Sequence, residues 1–292
     1  MDLNVPQAIR PVIEEAVQRN LIIHAGLMFY RYLDGKITNT QLRGAQLQNI
    51  VRKARFTTLS ACRSRQESLC RDLRQRGFPI ACMEATLMTR MAPGLGITSV
   101  FENGIILHHI HGFPYIPGSA LKGIAQDYAL QVEYRERSNV VLRRQAKKDP
   151  CFVAVFGAQT PEKGENISDF QAFRGGAIFF DALPLHDSDL LAVDVMTPHY
   201  GDYYSSGGGT APADYLNPNP IVFLTVREGV RFLFCLAAQE VKDKDGNLSR
   251  WAIEVLNDAQ RWLEGALTIL GVGGKTAVGY GYFQDFRDHP LP

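Results

Sequence analysis

The spacing of hydrophobic residues changes character near residue 78. Before that point apolar positions recur at helical intervals. Residues 11–19 and 20–33 read as helices, with Leu21, Leu27, Met28 and Tyr32 on the apolar stripe and a stop at Asp34 and Gly35. A third helix is expected from about Thr40 to Arg76, broken near Thr57 and Thr58. After Gly77 the pattern turns extended and apolar. Residues 81–90 read as a strand, Ala92 to Gly96 as a turn, and residues 104–111 as a second strand. Pro114 and Pro117 hold an extended approach to a helix running through Ala125, Tyr128 and Ala129, with Ser119 as its expected N-cap.

Further along, residues 150–157 read as a short helix, 160–168 as a polar loop, 175–182 as a strand ending near Asp181, and 190–195 as another strand. Residues 205–220, rich in Gly, Pro, Ser and Asn, must be loop. Residues 221–226 and 230–236 are separated only by Arg227, Glu228 and Gly229, which predicts a hairpin. A helix over 251–270 and a strand through Tyr280, Tyr282 and Phe283 complete the pattern. From about residue 80 the order is strands, helix, strands, helix, strand. That order fits an α+β chain built on a split β-α-β-β-α-β, ferredoxin-like (RRM-like) sheet, with helices on one face and the other face left for a ligand. The expected division is an N-terminal, helical, basic extension over 1–78 packed on the core, and the sheet domain with long loop insertions over 79–292.

Hydrophobic residues at 46% and charged residues at 21% describe an ordinary globular chain of 292 residues, and a net charge of +1 gives no hint of a polyanion partner. The distribution of charge does. Between Arg43 and Arg76 nine Lys/Arg face only Glu67 and Asp72, and between Gln131 and Lys148 six face Glu133 and Glu136. Arg52, Lys53 and Arg55 lie in the first cluster, which reads equally as a phosphate-tracking surface or as a solvated helix face. Five cysteines without a Cys-x-x-Cys pair favour reduced thiols over disulfides or a structural zinc site. With no basic-then-apolar signal in residues 1–6 and no apolar run long enough to span a bilayer, a cytoplasmic protein is expected.

The densest chemistry lies near the C-terminus, where Gly271, Gly273, Gly274, Gly279 and Gly281 surround Lys275 and Thr276. Such a run can take positive φ, align its amides and admit another backbone, and a phosphate chain is a natural guest. A nucleotide-binding P-loop does not fit. The position five before Gly274 is Ile269, and a helix rather than a strand precedes the loop. The second candidate is the start of the helix after Pro117, where Ser119 and Lys122 in the first turn suggest an anion site.

Taken together, the segment from Phe113 to Gly123 and the glycine-rich segment from Gly273 to Gly281 resemble the RAMP superfamily of CRISPR effector proteins. Phe156 and Gly157 ahead of Gly176 to Ala182 look like that family's mid-chain signature. The segment from Asp194 to Tyr204 is similar to the sixth-subunit family of the type III-B (Cmr) complex. The resemblance implies a RAMP ferredoxin-like fold in a non-catalytic subunit of a ribonucleoprotein. Such a subunit binds the guide RNA (crRNA) backbone near its 3′ end and caps the filament of repeated backbone subunits. Its expected partners are guide RNA, target RNA, the repeated backbone subunit and the small subunit, with no membrane and no cofactor. The residues expected to contact RNA are Ser119, Lys122, Gly271, Gly273, Gly274, Lys275, Thr276, Gly279 and Tyr280, with His199, Tyr200, Arg52, Lys53 and Arg55.

An enzyme reading stands beside this one, a metal-independent RAMP endoribonuclease processing repeat RNA. It needs a general base for the ribose 2′-OH and an acid for the leaving oxygen, usually histidine. His108, His109, His111 and His199 are the candidates, with His109 and His111 on one face of the expected strand. Asp181 and Asp194 could hold Mg²⁺, but nothing pairs them in sequence. These residues make no complete catalytic or metal-binding set.

Overall fold

The computed structural model describes residues 5–19, 21, 24–32, 39–99, 103–133, 146, 149–158, 173–198, 203, 206–207, 209, 211, 219–242 and 248–291. The chain divides into two compact units, each assembled from three separate segments.

The first unit comprises Met1–Thr57, Ala92–Pro114 and Asp187–Arg227. It contains helices α1 (Arg10–Gln18), α2 (Ala25–Tyr30) and α3 (Thr40–Lys53). Asn39 caps α3 by accepting from the amides of Gln41 at 2.8 Å and Leu42 at 3.2 Å. Leu47 and Ile50 are its buried stripe. The helix ends at Lys53, so the expected break before Thr57 is present and residues 40–76 are two helices.

The second unit comprises Thr58–Met91, Tyr115–His186 and Glu228–Pro292. It begins with α4 (Leu59–Gln75), stopped at Gly77 with φ +89°, and β1 (Ile80–Leu87). Then come α5 (Gly118–Tyr128) and α6 (Pro150–Phe156), the latter with Pro150 at its start and the Asp149 carboxylate accepting from the Cys151 amide at 2.7 Å. The strands β2 (Gly157–Ala158), β3 (Phe173–Arg174), β4 (Ala177–Phe179) and β5 (Leu183–Pro184) follow.

Next in the chain are β6 (Leu191–Met196) and β7 (Ile221–Val226), which pair antiparallel with each other in the first unit. The second unit resumes with β8 (Arg231–Ala238), β9 (Val241–Lys242), β10 (Leu248–Arg250), α7 (Ala252–Ile269) and β11 (Phe283–Asp288). Its main sheet runs β11-β1-β8-β4, all neighbours antiparallel, with β5 also on β8. With α5 and α7 as the crossovers this is the ferredoxin-like order.

The expected hairpin between residues 221–226 and 230–236 does not form. β7 pairs with β6, and β8 pairs with β1, β4 and β5. The physical reason lies in β8, buried from Phe232 to Ala238, which needs a covered face on both sides and so takes the centre of the larger sheet. Residues 104–111 are not a strand either. Leu107 makes one isolated bridge to Pro114, and the chain turns over His109 to His111.

One face of the sheet carries Phe232 and Phe234 beside Phe283, whose ring meets both edge-on at 5.8 and 5.3 Å. Helix α7 covers it with Val255, Leu256, Ala259, Trp262, Leu263, Ala266 and Leu267. It packs on α5 so closely that the Tyr128 ring occupies the space a side chain at Gly265 would need. The opposite face is not left open. Helix α4 packs against β1, β5 and β8, and Cys70 joins Cys82, Leu233 and Cys235 in a buried cluster. The expectation of a bare ligand face is corrected accordingly: α4 covers it, and the end bearing Glu84 and Arg231, ion-paired at 3.0 Å, keeps polar groups.

Candidate nucleic-acid interface

The glycine loop is a self-bonded turn between α7 and β11. Gly271, at φ +73°, ends the helix, its amide donating to the Ala266 carbonyl at 2.9 Å. Val272 is buried, and its amide donates to the Gly281 carbonyl at 2.9 Å, while the Gly281 amide donates to Arg90 at 2.8 Å. Between them Thr276–Val278 forms one 3₁₀ turn, opened by Lys275 in the left-handed region at φ +62° and closed by Gly279 at φ +97°. A lysine there carries strain that the surrounding bonds must hold. The Tyr282 hydroxyl helps by donating to the Thr276 carbonyl at 3.1 Å. Positive φ falls at Gly271, Gly273, Lys275, Gly279 and Gly281, and not at Gly274. The amides of Gly271, Val272, Val278, Gly279, Tyr280 and Gly281 all donate to backbone carbonyls. Those six amides are therefore already satisfied and do not face an anion.

At the start of α5 the expected cap is corrected. Pro117 occupies the N-cap position and no side-chain cap bond is made from it. The Asp181 carboxylate, from the segment between β4 and β5, accepts from the Gly118 amide at 2.7 Å. Gly118 is required there, because a Cβ would stand 2.2 Å from the Phe179 carbonyl oxygen. Ser119 is exposed in the first turn. The positive end of the α5 dipole is thus already met by the protein's own anion. Asp181→Ala is expected to cost about 1 kcal/mol of stability in chemical denaturation, the usual worth of such a cap. A loss under about 0.3 kcal/mol would show that the bond contributes nothing.

Lys122 is half-buried, and its ammonium is held below the usual lysine range by burial first and by the Arg174 guanidinium second. Among the described residues neither Lys122 nor Arg174 is in an ion pair. Two cations that disfavour one another's charge, neither ion-paired among the described residues, are what an anion would relieve. Arg174 has no motif around it and was not legible from sequence.

In the first unit, Arg52 and Arg55 line a cavity of about 540 Å³ that also presents Arg227, Asp189 and Phe56. Arg227 lies 3.9 Å from Asp189, and the Arg55 guanidinium donates to the carbonyls of Arg52 and Ala54, both at 2.8 Å, which closes the end of α3. Lys53 is half-buried beside them and is not part of the lining. On α4 the arginines do structural work: Arg63 donates to the Pro184 carbonyl at 2.9 Å and Arg71 to the Ser68 hydroxyl at 2.8 Å. The basic cluster of the sequence is thus divided between two helices with different jobs.

The histidines form a turn. The His108 Nδ1 accepts from the amides of Ile110 and His111, both at 3.3 Å, and its ring lies tilted against His111 and Phe113 at 4.7 and 4.8 Å, while those two stack at 5.8 Å. His109 is exposed and apart, so the expected pairing of His109 with His111 is corrected to His108 with His111. His24, passed over in the sequence, accepts at Nδ1 from the Leu27 amide at 3.1 Å and lies 3.0 Å from the Ile110 carbonyl at Nε2. Those partners fix the tautomer with the proton on Nε2. Asp194 accepts from the Val195 amide at 2.8 Å. His199 and Tyr200 lie outside the described residues. No helix among the described residues is long and apolar enough to cross a membrane.

Residues 84–284 match the family model of the RAMP superfamily. The CRISPR system Cmr subunit Cmr6 of Pyrococcus furiosus is 33% identical over 235 residues, covering 68% of this chain and 66% of that protein. The CRISPR system CMR subunit Cmr6 of Saccharolobus solfataricus is 23% identical over 225 residues, covering 75% and 62%. The chain therefore spans somewhat less than two thirds of the length of these relatives. Among solved structures, a chain of the cryo-EM structure of the Type III-B Cmr-beta bound to cognate target RNA matches with a TM-score of 0.56 at 20% identity, over 98% of this chain and 90% of that one. That likeness is one of fold.

Proposed function

The chain belongs to the RAMP superfamily, and from that premise we propose that it is a non-catalytic subunit of a type III-B CRISPR ribonucleoprotein. It holds the guide RNA backbone near the 3′ end and caps the filament of repeated backbone subunits. Its neighbours are that subunit and the small subunit, and it meets target RNA within the complex. The names of its two relatives support the assembly. The observation that carries RNA binding is Lys122 at the start of α5, half-buried, its charge disfavoured by burial and then by the field of Arg174, with neither cation in an ion pair among the described residues. Phosphate supplies the missing charge without reading sequence. The glycine loop adds a rigid backbone edge with Lys275 fixed in place.

The endoribonuclease reading is weaker. The His108 ring is committed at Nδ1 to two amides, and Asp181 to a helix end, so neither is poised as a general base or metal ligand.

Lys122→Met separates function from folding. Burial and Arg174 lower the folded-state proton affinity of Lys122, so the charged form costs stability at every pH below the depressed value. That cost fades as pH rises toward the ordinary lysine range, ~10.4. The variant should therefore melt no lower than wild type at neutral pH, its advantage shrinking in alkali. In the reconstituted complex it should hold single-stranded RNA about tenfold more weakly, equally for two unrelated sequences, with the log-log salt slope reduced by ~0.7. Neither protein should cut that RNA, with or without Mg²⁺. A variant that retains wild-type salt slope, or cleavage lost with His109→Ala, overturns the proposal.

A further inference from the structure

Three cysteines widely separated in sequence come together in the second unit. Cys70 comes from α4, Cys82 from β1 and Cys235 from β8, with exposures of 0%, 7% and 1%, and their sulfur atoms all lie within 4.8 Å of one another. Cys82 and Cys235 are direct partners across the antiparallel pair, Sγ to Sγ 3.0 Å. Leu233, Ile80, Phe180, Leu185 and Leu291 surround the cluster. No disulfide joins them.

Filling an apolar gap does not require sulfur. Three sulfurs from three elements, buried together in an apolar shell, form instead the donor set of a soft metal ion. We propose that Cys70, Cys82 and Cys235 bind one thiophilic divalent ion of the zinc class, which pins α4 to the sheet. Zinc–sulfur bonds of ~2.3 Å place three sulfurs about 3.8 to 4.0 Å apart at angles from tetrahedral to trigonal, inside the observed spread, so side-chain rotation within the cluster suffices. Three thiolates with a divalent ion carry one net negative charge. The Arg74 guanidinium is close enough to favour the thiolate at both Cys70 and Cys82 and so to balance it. Binding displaces the thiol protons to solvent, and no electron is transferred.

The test uses the full chain, reduced and stripped with a chelator, and Cd²⁺ as the probe. An ultraviolet thiolate-to-cadmium charge-transfer band should grow and saturate at one equivalent, decline when Zn²⁺ is added, and be accompanied by a higher melting temperature, since the ion binds the folded state. The double variant Cys62→Ser, Cys151→Ser should keep the band and Cys70→Ser should lose it. Zinc-edge X-ray absorption on the wild-type protein gives a reading free of folding defects, and a shell of three sulfurs is expected. Absence of the band, its survival in Cys70→Ser, its loss in the Cys62/Cys151 variant, or a shell without sulfur would each overturn the site.

Discussion

Gly281→Ala is expected to cost about 3 kcal/mol or more of unfolding free energy and to dislodge the glycine loop. Two effects add at this residue. Its φ of +81° is one that L side chains rarely adopt, worth roughly 1–2 kcal/mol. The new Cβ would also stand 2.0 Å from the carbonyl oxygen of Val272, a backbone atom that cannot rotate away. Relief requires breaking the bond from the Val272 amide to Gly281 or that from the Gly281 amide to Arg90, and those two bonds seat the loop on the unit. Gly279→Ala is the control. Its φ is +97° but nothing stands within 4 Å of the added atom, so it should lose only the conformational part. Urea denaturation of both variants decides the matter, and equal losses would mean that the close approach at Gly281 is unimportant.

Trp262→Ala should cost about 3–5 kcal/mol, the range for emptying a large aromatic site in a packed core. The side chain is 2% exposed on α7, with its ring stacked on Phe156 at 5.4 Å and 16° and tilted against Phe152 at 6.3 Å. Phe152 and Phe156 belong to α6, so the substitution removes the main aromatic joint between α6 and α7. Collapse is hindered because Leu263 and Ala266 are already buried beside it. The only other tryptophan, Trp251, is 59% exposed. The blue-shifted part of the fluorescence should therefore vanish with the stability. A loss under about 2 kcal/mol would mean that the site closes over and that the aromatic stack does not hold these helices.

The periodicity of the chain carried the ferredoxin-like order, because α7 and β8 have patterns that only one environment satisfies. A helix with seven buried positions and a strand buried over seven consecutive residues leave little choice. It misplaced the partner of β7, since a three-residue gap looks like a hairpin loop whether or not its flanks pair. Residues 104–111 read as a strand because Ile105 and Leu107 are buried in alternation, yet His108 spends its ring nitrogen on a turn. Arg52 and Arg55 line one cavity because they flank a single helix end, a grouping that the sequence itself carries. The surroundings of Arg174, Arg227 and Asp181 are not legible there, because each meets a neighbour distant in sequence. The same holds for the cysteines, whose spacing matches no metal motif although their sulfurs meet.

The sheet also has a history during synthesis. Strand β1 is flanked by β8 and β11, and its residue Cys82 finds Cys235 only 153 positions later. At ~5–20 residues per second, a ribosome exposes β1 for roughly eight to thirty seconds before its first neighbour in the sheet is made, and longer before β11 closes the other side. Throughout that interval an apolar strand has two open edges, the condition under which nascent chains associate with one another. Slower initiation, lower growth temperature or more ribosome-associated holdase should therefore raise the yield of folded protein more than any substitution that stabilises the finished sheet.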